Sequence, residues 1–237
     1  MGIVELKNNV AAISNFCLDL IFPKTCVNCG KFGSFVCNDC LSKIKPIKTQ
    51  VCPKCGKISD LGKWCSGCKG KSNLAGIIVG AAYRSGPTKE MIHYLKYNSV
   101  KELARPLADL LIDQLIEEEL SNKVIVASVP LHKKRYLERG YNQSEIIAKI
   151  VVAKLGLNYQ NLLVRKKYTE SQVKLKGGAR RSNLTGAFAV LDPVSIKGKT
   201  ILLIDDVSTT GSTLEECARV LRAAGAMRIY GLVIARG

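Results

Sequence analysis

From residue 74 onward the chain switches between short apolar runs and stretches whose apolar residues recur every three or four positions. The runs at 77–83, 124–129, 162–165, 201–204 and 228–235 are rich in Ile, Val and Leu and read as strands. Helical spacing marks 88–97, 101–120 and 142–155; Leu103, Leu107, Leu111 and Leu115 form one stripe of the second, and Asn142 with Glu145 is placed to cap the third. Farther on, Leu214, Cys217, Ala218 and Leu221 define an amphipathic helix, with Thr213 and Glu216 as a capping box and Gly225 as its stop. Strands alternating with helices predict an α/β fold whose parallel sheet is flanked by helices and binds ligands at the carboxyl ends of its strands. Ahead of this region lie a short amphipathic helix at 10–22, ending at Pro23, and a segment with few large apolar side chains, where Trp64 is the only tryptophan. The expected division is therefore 1–22, 23–72 and 73–237.

The middle segment holds eight of the ten cysteines, in four CxxC pairs: Cys26/Cys29, Cys37/Cys40, Cys52/Cys55 and Cys65/Cys68. A two-residue gap lets both thiolates of a turn converge on one tetrahedral ion at about 2.3 Å. Gly30 and Gly56 follow the second cysteine of their pairs, where such a turn takes a left-handed residue. Disulfides would suit a secreted chain, but no signal peptide is evident and a reducing compartment is expected. Four tandem pairs also exceed what redox chemistry uses. Two structural Zn²⁺ ions are the expectation, and the spacing leaves sequential and cross-braced pairing open. With so little apolar material, the metals would supply most of the module's folding energy, on the order of 10 kcal/mol each. Cys17 and Cys217 sit on apolar helix faces and read as core.

Two strand ends carry chemistry. The run 201–204 is followed by Asp205, Asp206, Val207, Ser208, Thr209, Thr210, Gly211, Ser212 and Thr213, and then by the amphipathic helix. A loop opening a helix offers backbone N–H groups to an anion. Two adjacent carboxylates would repel a bare phosphate, so they call for ribose hydroxyls, or for Mg²⁺ held with them. The run 124–129 ends at Pro130, where a basic loop begins with His132, Lys133, Lys134, Arg135 and Arg139. Arginine binds a pyrophosphate group bidentately. His132 reads either as an acid/base or, more simply, as a surface or phosphate contact; His93 reads as structural. The sequence Lys197-Gly198-Lys199-Thr200 lacks the earlier glycine of a Walker loop. The polar segment 166–181 reads equally as a mobile hood or a connector.

Residues 201–213 resemble the motif by which type I phosphoribosyltransferases bind 5-phosphoribosyl 1-pyrophosphate (PRPP). The resemblance implies that Asp205 and Asp206 hold the ribose and that residues through Thr213 wrap its 5′-phosphate. Val129-Pro130-Leu131-His132, then Arg139-Gly140-Tyr141-Asn142-Gln143, is similar to the signature of the ComF family of competence proteins. Tyr94-Leu95-Lys96-Tyr97 and the series Arg165, Gln172, Arg181, Asn183, Phe188 match other parts of that family. The resemblance covers nearly the whole chain. It implies a type I phosphoribosyltransferase-like domain behind a double zinc-ribbon-like module. It also implies PRPP binding by Lys96, Pro130, Arg135, Arg139, Gly140 and residues 205–213, with Asp205, Asp206 and Arg139 as catalytic candidates.

Charge widens the choice of partners. The formal net charge is +17; eight thiolates binding two Zn²⁺ lower it by four, to about +13. Anionic partners follow. No run of eighteen apolar residues is present, so stable membrane insertion is not expected. One reading, which the resemblance implies, is a cytoplasmic PRPP-binding protein that handles single-stranded DNA during natural transformation, with a DNA-uptake helicase as a candidate partner. The other is an active transferase releasing pyrophosphate from PRPP, although no feature identifies its acceptor or the oligomeric state. Lys43, Lys45, Lys48, Lys54 and Lys57 make the densest basic run of the zinc module, equally a DNA contact or a solvated face. Aromatic residues are only 6% of the chain, and no stacking groove is visible in the sequence.

Overall fold

A computed structural model describes residues 23–70, 72–83, 86–115, 124–168 and 184–237. The expected helix at 10–22 and Cys17 lie outside the described residues, as do Gln172, Arg181, Asn183 and most of 166–181. In chain order the elements are a short helix α1 (Asn38–Leu41), β1 (Gly76–Ala82), α2 (Pro87–Tyr97), α3 (Ala104–Ile112), β2 (Val124–Ser128), α4 (Lys133–Arg139), α5 (Gln143–Leu155), β3 (Asn158–Tyr159), β4 (Leu163–Arg165), β5 (Phe188–Val190), β6 (Thr200–Ser208), α6 (Ser212–Ala223) and β7 (Arg228–Arg236).

The main sheet has the order β1-β7-β6-β2-β3, and every pairing in it is parallel. Its central strands are apolar on both faces because both faces are covered. Along β6, Ile201 and Leu203 pack with Leu214, Cys217 and Leu221 of α6. Leu202 and Ile204 pack on the opposite side with Leu95, Leu107, Ile147 and Val151 of α2, α3 and α5. A run that looks uniform in sequence is thus a period-2 alternation between two cores. β4 and β5 form a separate antiparallel pair beside α6.

Several local expectations need correction. The helix expected over 101–120 begins with a 3-10 turn (Lys101–Leu103), and its α-helical part ends at Ile112. Pro106 explains the late start: it has no N–H to give the carbonyl of Glu102, so α-helix cannot run through that turn. The basic loop after Pro130 contains the helix α4, capped by His132, whose Nδ1 accepts from the Lys134 N–H at 3.2 Å. The capping box at Thr213 and Glu216 does not form. Gly211 is the N-cap of α6, and Glu216 turns away to the Gly186 N–H and the Arg219 guanidinium. Asn142 does cap α5 through the Ser144 N–H, while Glu145 pairs with Lys149 instead.

The cysteine-rich segment packs along the open edge of β1. Ile47 N–H donates to Gly80 O, Ala82 N–H to Lys45 O, and Trp64 N–H to Ala75 O. The Gln50 amide side chain mimics a strand, accepting from Val79 N–H at 3.0 Å and donating to Val79 O at 2.9 Å. From the other side of the junction, Glu215 of α6 takes the Ser72 hydroxyl and the Asn73 N–H and side-chain amide. An edge strand whose polar groups would otherwise invite pairing is therefore covered. The tightest contact is at Gly62, with φ near +60°, where a Cβ would lie 2.0 Å from Ile77 O. Gly62→Ala should destabilise the protein by about 2 kcal/mol or more, read as a fall in unfolding midpoint of the zinc-loaded chain. Gly30→Ala, where a Cβ meets nothing within 4 Å, should cost only the left-handed penalty of roughly 1–2 kcal/mol.

Candidate functional site

The cysteines settle into two sequential groups, Cys26/Cys29/Cys37/Cys40 and Cys52/Cys55/Cys65/Cys68, each with its ligand atoms within 4.8 Å of one another. Four sulfurs around one ion at 2.3 Å stand roughly 3.8 Å apart. The Sγ separations of 3.6 Å for Cys29 and Cys37 and 3.5 Å for Cys55 and Cys65 fit that polyhedron. Burial alone would raise the Cys26 and Cys52 thiols. Backbone N–H donors, including Cys37 N–H on Cys26 Sγ, outweigh it and bring both down to about 6, while in the same clusters Cys40, against the Asn28 amide, and Cys68 are pushed up to about 12 by burial and the neighbouring thiols. These are two zinc-binding sites of four cysteines each, and the linkage is sequential rather than cross-braced. Cys217 is fully buried in the core beneath α6. Cys40→Ser should lower bound zinc from two ions per chain towards one by atomic emission, and Cys40→Ser/Cys68→Ser should remove both.

The second centre lies where β2 stops and β6 continues. The β2–β6 ladder ends at Ser128↔Ile204, while β6 runs on beside β7 to Ser208. Asp205 and Asp206 are therefore inside the strand, at the point where one of its flanks opens. Asp206, only 4% exposed, is held by the Lys96 ammonium of α2 at 2.7 Å and by the Gln143 side-chain amide of α5 at 2.5 Å. Asp205 accepts from the Ser144 hydroxyl at 3.2 Å and from the Asp206 N–H at 2.9 Å. Burial, then the neighbouring Asp206 charge, pushes the Asp205 carboxyl up to about 7. Burial also works to lower the Lys96 ammonium, but Asp206 overrides it and holds the pKa above the ordinary value.

The segment Arg139-Gly140-Tyr141-Asn142-Gln143 positions much of this. Arg139 donates to Gln143 Oε1, fixing the amide whose nitrogen reaches Asp206. Gly140 ends α4. The Tyr141 hydroxyl donates to Leu95 O, anchoring the turn beside Lys96. Asn142 donates to Val129 O while capping α5. Gln143 and Ser144, which touch the two carboxylates, were not among the expected site residues, although Gln143 ends the motif quoted above.

A cavity of about 160 Å³ opens over the carboxylates, lined by Lys96, Tyr97, Pro130, Arg135, Arg139 and Arg165, among others. Four cationic side chains face two carboxylates, so the space favours an anion. Arg165, expected on a strand and in the ComF-like series but not as a site residue, is half-buried, and its guanidinium pKa is lowered by burial and then by Arg135. A smaller concavity of about 50 Å³ is formed by Asp205 and residues 207–214. Ser208 Oγ is buried there without a hydrogen-bond partner, and the N-cap Gly211 offers α6 no side chain, so that of its first N–H groups Ser212 meets only Thr210 Oγ1 at 3.4 Å. Both features suit an acceptor-rich group such as a phosphate. Gly140 stands at the end of α4 and lines neither space; the other expected PRPP-binding residues line one or the other.

Comparison with known proteins matches residues 17–69 to a double zinc ribbon domain and 142–236 to a phosphoribosyl transferase domain. A DNA utilization protein YhgH of Escherichia coli O157:H7 is 31% identical over 202 residues, spanning 82% of this chain and 87% of that protein. Competence protein F of Haemophilus influenzae is 29% identical over 206 residues, spanning 83% and 89%. Competence protein ComFC of Streptococcus pneumoniae is 29% identical over 208 residues, spanning 84% and 88%. The chain belongs to the ComF family. Its fold is a type I phosphoribosyltransferase-like parallel sheet with an amino-terminal double zinc ribbon. A solved purine phosphoribosyltransferase from Pyrococcus horikoshii shares 21% identity over 55% of this chain and 70% of its own, at a TM-score of 0.35.

The raised Asp205 pKa gives this ComF protein a definite pH response. An acid that ionises near 3.8 when unfolded and about 7 when folded stabilises the native state fully at low pH, and loses that contribution as pH rises towards 7. Asp205→Asn should therefore gain stability over the wild type as pH rises from 6 to 8. Comparing the two zinc-loaded proteins at each pH cancels the metal's own pH dependence. A stability difference that stays flat from pH 6 to 8 would remove the assigned shift.

Proposed function

We propose that this ComF protein binds PRPP in the two concavities at the end of β6 and acts in the cytoplasmic handling of DNA during natural transformation. The observation that carries the first half is the adjacency of a carboxylate pair, Asp206 buried and Asp205 partly so, a phosphate-sized concavity and a cationic cavity around one strand end. In this reading Asp205 and Asp206 accept hydrogen bonds from the vicinal ribose hydroxyls. Residues 207–213 and the uncapped start of α6 receive the 5′-phosphate, with the Ser208 hydroxyl donating to it. Arg135, Arg139 and Lys96, with Pro130 shaping the wall, face the pyrophosphate.

The carboxylate donors also suit Mg²⁺ bound together with PRPP near Asp205 and Asp206, where the ion would supply positive charge against the pyrophosphate. The protein's own part is electrostatic and positional. Lys96 and Gln143 fix Asp206, Ser144 orients Asp205, and Arg139 braces Gln143 while presenting its charge to the cavity. Such a site is equipped to stabilise a departing pyrophosphate, which supports a second reading as an active phosphoribosyltransferase toward an acceptor. Pyrophosphate release from PRPP in the presence of candidate bases distinguishes the two readings.

The DNA half rests on the names of the relatives, a competence protein and a DNA utilization protein, and on the strongly basic charge. Among the described residues no helix is long and apolar enough to cross a membrane. A protein partner such as a DNA-uptake helicase belongs to this proposal. Lys43, Lys45, Lys48, Lys54 and Lys57 are all exposed and available to phosphates; reversing several should weaken DNA binding and flatten its salt dependence.

Calorimetric titration of the zinc-loaded protein with PRPP and Mg²⁺ is the direct test. Micromolar binding is expected, falling by about a hundredfold or more in Asp205→Ala/Asp206→Ala, in line with two hydrogen bonds to charged groups. Arg139→Ala should weaken it about tenfold or more. No heat from a folded wild-type protein sinks the PRPP reading.

A further inference from the structure

The outer wall of the cavity is a surface that composition concealed. Tyr97, at the end of α2, is 66% exposed, and Tyr168, beyond β4, is 41% exposed. Both border a shallow space of about 360 Å³ with three cations, Arg135, Arg139 and Lys96, against one carboxylate, Glu138, and this space shares four residues with the cavity over the carboxylates. Each ring carries its own cation: the Arg139 guanidinium lies 5.5 Å from the Tyr97 centroid, and the Lys134 ammonium 4.9 Å from that of Tyr168. The His132 ring meets Tyr168 edge-on at 5.2 Å, which fixes Tyr168 beside α4.

An isolated exposed tyrosine needs no explanation. Two exposed rings, each with a cation beside it and both at the rim of one anion-binding space, repeat the chemistry of a polynucleotide: base, phosphate, base, phosphate. Unpaired bases stack on such rings whatever their identity, and the backbone follows the charge. Duplex offers no free base faces, so a single strand is the fitting occupant. A lone nucleotide would use one ring and leave the other unexplained.

We propose that a single strand of nucleic acid lies across α4 at the mouth of the cavity, with bases on Tyr97 and Tyr168 and phosphates on Lys134, Arg135 and Arg139. This rests on the reading of the inner cavity as the pyrophosphate site, because Arg135 and Arg139 then face both ligands. The consequence is competition: pyrophosphate in the inner cavity and a strand across its mouth draw on the same two guanidinium groups, and each lowers the affinity for the other by linkage.

The test uses fluorescence anisotropy of labelled dT12 with the zinc-loaded full chain at fixed salt. Tyr97→Ala/Tyr168→Ala, with folding checked by zinc content and unfolding midpoint, should raise Kd at least about tenfold. Inorganic pyrophosphate with Mg²⁺ should raise the apparent Kd for dT12 in the wild type. Equal binding by the double variant, or dT12 affinity indifferent to saturating pyrophosphate, overturns the proposal. U12 in parallel tells DNA from RNA, and a twelve-pair duplex should bind more weakly than either. PRPP calorimetry is a separate readout, so a protein that takes up no PRPP but loses dT12 in the tyrosine variant and to pyrophosphate fails only the PRPP reading.

Discussion

Two carboxylates side by side in a protein interior repel each other and lose their hydration, and the middle of this structure is organised around that cost. The neighbours divide the load. Lys96 neutralises Asp206 through an ion pair that is itself largely buried, while Asp205 rises in pKa and takes a hydroxyl and a backbone N–H. Removing Lys96 alone would leave a buried charge unpaired, which is far more costly than never having placed the pair. Helices α2, α4 and α5 are thereby tied to β6 by chemistry as well as by packing. The Tyr141 hydroxyl on Leu95 O and Arg139 on Gln143 belong to that same brace.

The zinc ribbons meet the other border of the sheet. Their contribution is backbone-to-backbone along β1, reinforced by Gln50, Glu215 and an Arg236 side chain that donates to Pro53 O. Apolar side chains of the segment, Leu61 together with Val27, Phe35, Val36 and Ile44, also join the core shared with α2, α3 and α5. The metal-fixed turns hold them in place, since four thiolates on one ion rigidify a segment with few large side chains of its own.

Much of this was legible in the chain because the signals were dense and local. Residues 201–213 contain the buried strand, the carboxylates and the hydroxyl-rich loop in one uninterrupted piece. The four CxxC pairs announce their ligand sets, though only the folded turns decide which pairs share an ion. What the sequence hid was either competitive or distant. Glu216 satisfies the spacing of a capping box yet finds Arg219, a competing partner one turn along its own helix, and Gly186, which a local pattern does not contain. Pro106 was visible, but its effect on the residues before it was outvoted by a leucine stripe. The tyrosines of the cavity mouth, Tyr97 and Tyr168, lie far apart in sequence, and an average over the whole chain dilutes them to nothing. Gln143 was in plain view as the end of a motif; its role required knowing that α5 begins against β6.

The Gln50 amide, which stands in for a missing strand by pairing with both polar groups of Val79, makes the edge of the sheet depend on a module that itself depends on metal. Zinc deprivation would then do more than loosen a small appendage. It would uncover a parallel-sheet border able to recruit other chains, turning a shortage of a trace element into loss of the protein to aggregates.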